Sequence, residues 1–429
     1  MKKNKIYFIL IYYALLLIVL ASRQMATTAP PLLLRVGFLT AVILPTLLSR
    51  KACYPAIITL FYTVALEGFS FSYMPYTMSL YVIITLVITL FFSRQYKTGT
   101  IPVFILIFAF YIFFIDLIFG ASRFDTPIFQ KTFYCFVMLG CFLIISNRQV
   151  DIALAQLPLC FAATSIVLSI AFLTHREQFV ISELNGIERA GWTDPNYFGT
   201  SLGMGTVIGM MKMFSKEWKS INIFEKVVYI TTVAVSIPVL ILNASRGAMV
   251  SVIVGFVALL LFSKAKWFFK IIFIIIMAIA VYYLYSNEYF ELLEYRIMND
   301  DGTGSGRTDI WVNKLSAFMD GSLLKMVFGY GHVAGLNISG VTIGFHSDYI
   351  GFLVDYGIIG FGFLIYMLLY PIIIAQKGIT DKPSVIALIL YLSSSFLTLE
   401  PILTGGLAYF TFYLYALLLA KKTQLLSAC

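Results

Sequence analysis

Hydrophobic residues along this chain form long runs that are separated by short polar connections. About 14 of these runs can cross a hydrocarbon layer of roughly 30 Å as helices. Lipid offers no hydrogen-bonding partner to backbone N–H and C=O groups, so each span should be an α-helix. The pattern predicts an all-α, polytopic integral membrane helical bundle in one membrane domain, residues 1–429. The predicted spans are residues 6–21, 31–48, 53–71, 75–92, 101–119, 128–146, 152–173, 196–214, 226–243, 246–263, 267–286, 348–374, 384–399 and 404–420.

Two polar connections are much longer than the others. The first covers residues 175–195 and the second covers residues 287–347, between the eleventh and twelfth predicted spans. The second contains polar helical patterns at 289–298 and 308–318, on either side of the glycine-rich sequence DDGTGSGR. That sequence lacks the GxxxxGK[ST] pattern of a nucleotide-binding loop, so a hinge or capping turn is the simpler interpretation. We expect a large external loop that contains short helices.

The charges indicate how the chain is oriented in the bilayer. The net charge is +9, but the basic residues stand singly or in small groups and form no face that could follow a nucleic-acid backbone. With both termini in the cytoplasm, most of the 30 lysines and arginines fall on inside segments, as the positive-inside rule requires. The five cysteines form no CxxC pair and no histidine lies near them, so no metal site is predicted.

Arg35, Glu67, Asp116 and Asp355 fall within predicted spans, and in this topology they lie in the outer half of the bilayer. A charge at this depth must be paired or must face water. A transporter would carry ionisable groups near the midplane, in helices related by internal repeats. Neither feature is found, which makes transport the weaker interpretation.

Three arginines on the predicted external side are candidates for binding an anion. Arg189 begins the segment RAGWTDPNYFG, Arg246 lies in the short connection NASRGA, and Arg307 begins a helix after the glycine-rich break. The planar guanidinium suits phosphate and carboxylate groups, and a cation at a helix start opposes the helix dipole unless an anion is nearby. Snorkelling to lipid headgroups is the alternative for Arg246. Arg296 and Lys314 are assigned to solvated faces.

A histidine and two aspartates mark the start of the span GFHSDYIGFLVDYGIIGF. The pKa of His346 is ordinarily near the working pH, which suits a general base. Asp348 lies in the first turn, where helix capping alone would explain it. Asp355 lies two turns deeper on nearly the same face and needs a cation, water or a proton. These three residues are the candidate catalytic residues.

These motifs, in this order, resemble the O-antigen polymerase and O-antigen ligase superfamily of bacterial membrane glycosyltransferases. The motifs that show this resemblance are RAGWTDPNYFG, NASRGA, GRTDIW and the ligase-type pattern that begins at His346-Ser347 and ends at Gly357 and Gly360. The resemblance implies a glycan donor linked to undecaprenyl diphosphate, with no metal or nucleotide cofactor. In that reaction Arg189, Arg246 and Arg307 would hold the diphosphate. His346 would activate the acceptor hydroxyl, with an aspartate to position it or to take its role.

The resemblance also implies a place in the cell and a set of partners. The protein would lie in the bacterial inner (cytoplasmic) membrane, with its active site on the periplasmic face. Its partners would be lipid-linked oligosaccharides, the bilayer, a chain-length regulator and a flippase, and no nucleic acid. The segments DPNYFG and HSDYIGFLVDYGIIGF resemble polysaccharide polymerases more closely, and this resemblance favours a polymerase. A ligase that transfers the glycan to lipid A core is the alternative, and a flippase for the same lipid-linked sugars is a third, weaker one.

Overall fold

The computed structural model confirms the all-α membrane bundle over the residues that it describes. These are residues 11, 15, 103–119, 150–174, 180–182, 188–190, 194–299, 306–340, 344–376, 381–400, 402 and 407–427. In chain order the helices are α1 Val103–Phe119, α2 Val150–Thr174, α3 Pro195–Phe214, α4 Ile223–Asn243, α5 Arg246–Phe262, α6 Trp267–Ser286, α7 Glu291–Met298, α8 Arg307–Met319, α9 Leu323–Phe328, α10 His332–Asn337, α11 Asp348–Gln376, α12 Lys382–Thr398 and α13 Leu407–Ser427.

Every predicted span that lies in the described residues coincides with one of these helices. Helices α2, α4, α6 and α11 contain stretches that are long and apolar enough to cross a membrane by length and composition, and α1, α5, α12 and α13 contain shorter apolar stretches. The predicted spans 31–48, 53–71, 75–92 and 128–146 lie outside the described residues. So does 6–21, apart from Ile11 and Leu15, which are helical.

Helix α3 lies in the centre of the described bundle. It packs against α2, α4, α5 and α12, and all of residues 198–211 are buried. A helix that is buried on every side carries no amphipathic stripe. The small residues of α3 allow its neighbours to approach closely: a Cβ on Gly203 would lie 2.6 Å from the Tyr391 hydroxyl of α12. The core of the part of the chain that the structure describes is therefore built around α3.

Helix α11 is broken at Gly357, where φ is 66° and ψ is −170°. A Cβ at this position would lie 2.3 Å from the Val327 carbonyl oxygen, so both the backbone conformation and the close approach require glycine. The carbonyl groups beside the break accept hydrogen bonds from other parts of the chain: Tyr330 N to Val354 O at 3.1 Å, Gly331 N to Asp355 O at 2.8 Å, and Tyr111 Oη to Tyr356 O at 2.8 Å. These bonds allow an interrupted helix inside an apolar bundle.

The two long connections contain regular structure of their own. The first holds a short antiparallel hairpin, which the sequence did not predict, in which β1 Val180–Ser182 pairs with β2 Glu188–Ala190. The second holds the short helices α7 to α10. The patterns at 289–298 and 308–318 correspond to α7 and α8. Helices α8, α9 and α10 all pack against α11, so this loop is fixed to the bundle.

Candidate active site

A cavity of about 250 Å³ lies where α5, α8 and α12 meet, and two of the predicted arginines line it. Arg246 is the first residue of α5 and Arg307 is the first residue of α8. The remaining lining residues are Gly247, Val250, Thr308, Trp311, Ser394, Leu397 and Thr398. Two arginines and two helix N-termini therefore meet at one cavity. An anion is the ligand that this combination suits best.

The position of Arg246 is set by the packing of two sequence motifs. In NASRGA, the Asn243 side-chain amide donates to the Pro195 carbonyl at 2.9 Å, and the Ser245 hydroxyl donates to Asn196 Oδ1 at 2.9 Å. Both acceptors belong to the DPN turn of the other motif. Ala244, between the two donors, has φ 51°, and this left-handed residue turns the chain from α4 into α5. The turn therefore fixes where α5 begins, and with it the position of Arg246, the first residue of that helix.

Arg307 is positioned by the helix that it begins. Gly306 caps α8 with φ 77°, a conformation that favours glycine. One and two turns along, Trp311 and Lys314 tie α8 to the chain just before α11. The Trp311 indole donates to the Phe345 carbonyl at 2.7 Å, and the Lys314 ammonium lies 5.1 Å from the centre of the Phe345 ring. The same helix therefore positions Arg307 and the residue that precedes His346.

Residues of helix α8 and of the DPN turn both affect His346. Burial lowers the pKa of His346 below its usual value, the positive charge of Arg307 lowers it further, and Asp194 opposes both effects. Asp194 is the N-cap of α3, where its carboxylate accepts from Asn196 N at 2.7 Å. The backbone N–H of His346 donates to the carboxylate of Glu400. The charge of Arg307 therefore acts on the His346 ring, and the environment of the ring favours the neutral imidazole.

The second predicted residue of this segment, Asp348, is fully buried at the start of α11. Its carboxylate accepts from the Ile402 N–H at 3.2 Å, and its own N–H donates to the Leu399 carbonyl at 2.9 Å. The neighbouring Ser347 hydroxyl donates to the Phe396 carbonyl at 3.2 Å. These contacts attach the start of α11 to the chain around the end of α12.

Asp355 belongs to a different group of side chains. It is fully buried, and its Oδ2 lies 2.5 Å from Nδ1 of His332, at the start of α10. The backbone N–H of His332 donates to Asp116 Oδ1 of α1 at 2.7 Å, and the Tyr356 hydroxyl donates to Asp116 Oδ2 at 3.0 Å. An imidazole is thus one of the groups that accompany the buried Asp355 carboxylate. None of these residues lines the cavity of Arg246 and Arg307.

Arg189 lies in β2, where its backbone is opposite Ile181 of β1. Strand β2 lies beside α3 and α4, close in the fold to the DPN turn that begins α3. The structure describes the backbone of Arg189 and not its side chain. Its role in binding an anion stays a prediction.

The assignment of Lys314 to a solvated face is wrong. Lys314 is fully buried, and its ammonium donates to the Leu336 carbonyl near the end of α10. Burial lowers the pKa of Lys314, while the negative charges of Asp355 and Glu400 raise it. Arg296 also has a structural contact, since it donates to the Ala244 carbonyl at 2.5 Å.

Sequence reasoning missed Glu400 and the pairing of His332 with Asp355. Glu400 directly follows the predicted span 384–399, and a charged residue at the end of a membrane-spanning helix is common. The position of Asp355 could have indicated this pairing, because a carboxylate inside a span needs a partner. His332 was among the few residues that could supply one. As for metals, no group of three or more His, Cys, Asp or Glu side chains within the described residues could hold an ion.

Part of the chain matches a known family model. Residues 231–365 match the family model Wzy_C, which is described as O-antigen ligase, whereas none of the curated proteins matches the chain. The matched segment includes Arg246, Arg307, His346, Asp348 and Asp355, and it leaves out Arg189 and Glu400. The match confirms the resemblance that the sequence motifs carry and supports the O-antigen ligase and polymerase superfamily for this membrane protein.

Proposed function

We propose that the protein is an O-antigen or exopolysaccharide polymerase. It would transfer a glycan from an undecaprenyl-diphosphate donor to a sugar hydroxyl of another lipid-linked repeat unit. The observation that carries this proposal is the cavity between α5, α8 and α12, where Arg246 and Arg307 lie together, with His346 within range of the Arg307 charge. The O-antigen ligase model that matches residues 231–365 supports the same class of reaction.

The two arginines suit the leaving group. When the glycosidic bond breaks, the electron pair stays on the phosphate oxygen and undecaprenyl diphosphate departs with additional negative charge. Arg246 and Arg307 can each donate two hydrogen bonds to this group, and they are aided by the N-termini of α5 and α8. Donors that are already in place where charge develops lower the barrier most effectively. Arg189 is proposed as a third donor, from the hairpin beside α3.

The imidazole of His346 suits the acceptor. As the acceptor oxygen bonds to the anomeric carbon, its proton must leave, and a neutral imidazole can accept it. The lowered pKa of His346 keeps the ring neutral near pH 7. Asp348 is assigned to positioning this segment, because its carboxylate holds Ile402. Asp355 is assigned to positioning α10 against α11, through His332. The glycosyl diphosphate supplies the driving force, so the proposed reaction uses neither metal nor nucleotide.

Ligation to lipid A core is the second candidate function, because the matching family model is described as O-antigen ligase. Polymerase and ligase share a donor and differ in the acceptor. For either reaction we propose the bacterial inner membrane, with both termini in the cytoplasm and the cavity open to the periplasm. Lipid-linked oligosaccharides, a chain-length regulator and a flippase would be the partners.

Deletion of the gene tests the proposal and separates the two candidates. Loss of a polymerase leaves single repeat units on the lipid core, whereas loss of a ligase leaves polymer on its lipid carrier. Complementation with Arg246→Ala or His346→Ala, at normal protein levels in the membrane, should fail to restore long chains. Full-length chains with either variant would contradict the proposed site.

A further inference from the structure

We propose that Glu400, which follows α12, is a positioning residue for His346 and therefore part of the active-site machinery. This inference rests on the proposed function, because it assigns Glu400 a role through the imidazole that activates the acceptor. The direct observation is the hydrogen bond from the backbone N–H of His346 to Oε1 of Glu400. Glu400 is only 7% exposed, so its carboxylate faces the protein and not solvent.

The backbone of His346 needs such a contact. Its φ is 51°, in the left-handed region that a histidine rarely adopts. A residue in this region keeps its conformation only when the surrounding structure enforces it. The direction of the imidazole depends on this backbone conformation, so the group that holds the His346 N–H also sets where the ring lies.

The segment around His346 is shaped to receive Glu400. A Cβ at Gly344 would lie 2.8 Å from Glu400 Oε1, so the chain passes directly against the carboxylate. On the other side of His346, the Asp348 N–H donates to the Leu399 carbonyl at 2.9 Å. Residues 344–348 thus lie beside Leu399, Glu400 and Ile402, and Glu400 accepts from the left-handed residue between Gly344 and Asp348.

A buried cation accompanies this carboxylate. Lys314 of α8 is fully buried, and the negative charges of Glu400 and Asp355 both raise its pKa against the effect of burial. A buried carboxylate is costly unless it is hydrogen-bonded and its charge is balanced. The N–H of His346 supplies the hydrogen bond, and Lys314 contributes to the balance. Because α8 also begins with Arg307, the same contacts link both candidate active-site groups to Glu400.

Four variants test the role of Glu400 in the full chain in membranes. The substrate is the lipid-linked repeat unit that accumulates in the deletion strain, and the readout is the initial rate per amount of protein. Glu400→Gln keeps an oxygen that can accept the His346 N–H, so its rate should stay within about threefold of the unsubstituted protein. The initial rate of Glu400→Ala should be lower by roughly ten- to a hundredfold, because a misplaced catalytic group reduces the rate by about this factor.

Glu400→Asp distinguishes the hydrogen bond from the charge. It keeps the carboxylate but withdraws it by about 1.5 Å, the length of one C–C bond, so its rate should be as low as that of Glu400→Ala. Asp381→Ala is the matched control, since Asp381 is a carboxylate that precedes the same helix, where it accepts from Ser384 at 2.5 Å. That variant should keep its rate. Full activity in Glu400→Asp together with loss in Glu400→Gln would overturn the proposal.

A double-mutant cycle separates positioning from general stability. If Glu400 acts through His346, adding Glu400→Ala to His346→Ala should change the residual rate by less than about twofold. A further tenfold loss in the double variant, or an unchanged rate in Glu400→Ala alone, would overturn the role of Glu400. Full activity in His346→Ala would instead contradict the proposed function itself, so the two failures are distinguishable.

Discussion

The protonation state of His346 should decide the pH range in which the protein works. Burial and Arg307 lower the pKa of His346 below 6.5, the usual value. The neutral ring that can accept a proton therefore predominates at pH 7. The neutral form of the ring is lost as the pH falls through this lowered pKa. The acid limb of the rate profile should consequently lie below pH 6.5.

The charge at position 307 gives this expectation a direct test. Arg307→Gln removes a positive charge near the imidazole, so the pKa of His346 should rise and the acid limb of kcat/KM should move to higher pH. Arg307→Lys keeps the charge and should leave the limb in place, even though it loses the bidentate fork. Both variants should be slower than the unsubstituted protein. An acid limb that is the same in Arg307→Gln and Arg307→Lys would contradict the assignment of that limb to His346.

The two aspartates of α11 illustrate how similar side chains acquire different roles. In the sequence, Asp348 and Asp355 lie on nearly the same helical face. In the fold, Asp348 holds the backbone of Ile402, while Asp355 binds the His332 imidazole. Each carboxylate is buried and hydrogen-bonded, which is what its burial requires. These contacts support the proposed role of both residues in holding chain segments together.

Among the helices, the contact between α3 and the turn from α4 to α5 controls the position of Arg246. A Cβ on Gly199 would lie 2.3 Å from the Asn243 side-chain nitrogen and 3.2 Å from Ser245 Cβ. Gly199→Ala should therefore push this turn away from α3, at a cost of about 1–3 kcal/mol. We expect a lower thermal unfolding temperature in detergent and a reduced rate of the proposed glycan transfer.

Gly362 offers a matched control on α11. A Cβ there meets nothing within 4 Å, so Gly362→Ala should not lower the free energy of unfolding and should raise it by up to about 1 kcal/mol, because alanine is the better helix former. Equal unfolding temperatures for Gly199→Ala and Gly362→Ala would mean that the close contact of α3 with the turn is not needed for the bundle.

The arrangement of the protein across the membrane can be tested by labelling. Helix α4 separates the connection at Lys216–Lys219 from the turn that holds Arg246, so the two must lie at opposite ends of the bundle. The proposed topology puts the arginine end outside. In a variant without its native cysteines, Asp309→Cys should react with a membrane-impermeant maleimide in spheroplasts, whose outer membrane has been opened. Lys219→Cys should react only after the inner membrane is permeabilised. Both positions are exposed, and the reverse pattern would contradict the periplasmic site.

Most helix positions in the described residues follow from hydropathy alone. The predicted span 267–286 coincides with α6, and the predicted 246–263 differs from α5 by one residue. Lipid requires each spanning segment to satisfy its own backbone groups, whatever the rest of the chain does. The hairpin of β1 and β2, and the short helices α9 and α10, were not predicted. They form through contacts with other parts of the chain, and local patterns do not encode those contacts.

The fold class and the residue types of the candidate site could thus be read from the chain, because hydrophobic length and the chemistry of arginine and histidine are local properties. Which of these residues lie together in the fold could not be read from the chain. Arg246 and Arg307 share a cavity, His346 donates to Glu400 54 positions away, and His332 meets Asp355 23 positions away. Such pairings depend on how the helices pack and where α11 breaks. Packing joins residues that are distant in the chain, and no local pattern specifies which ones will meet.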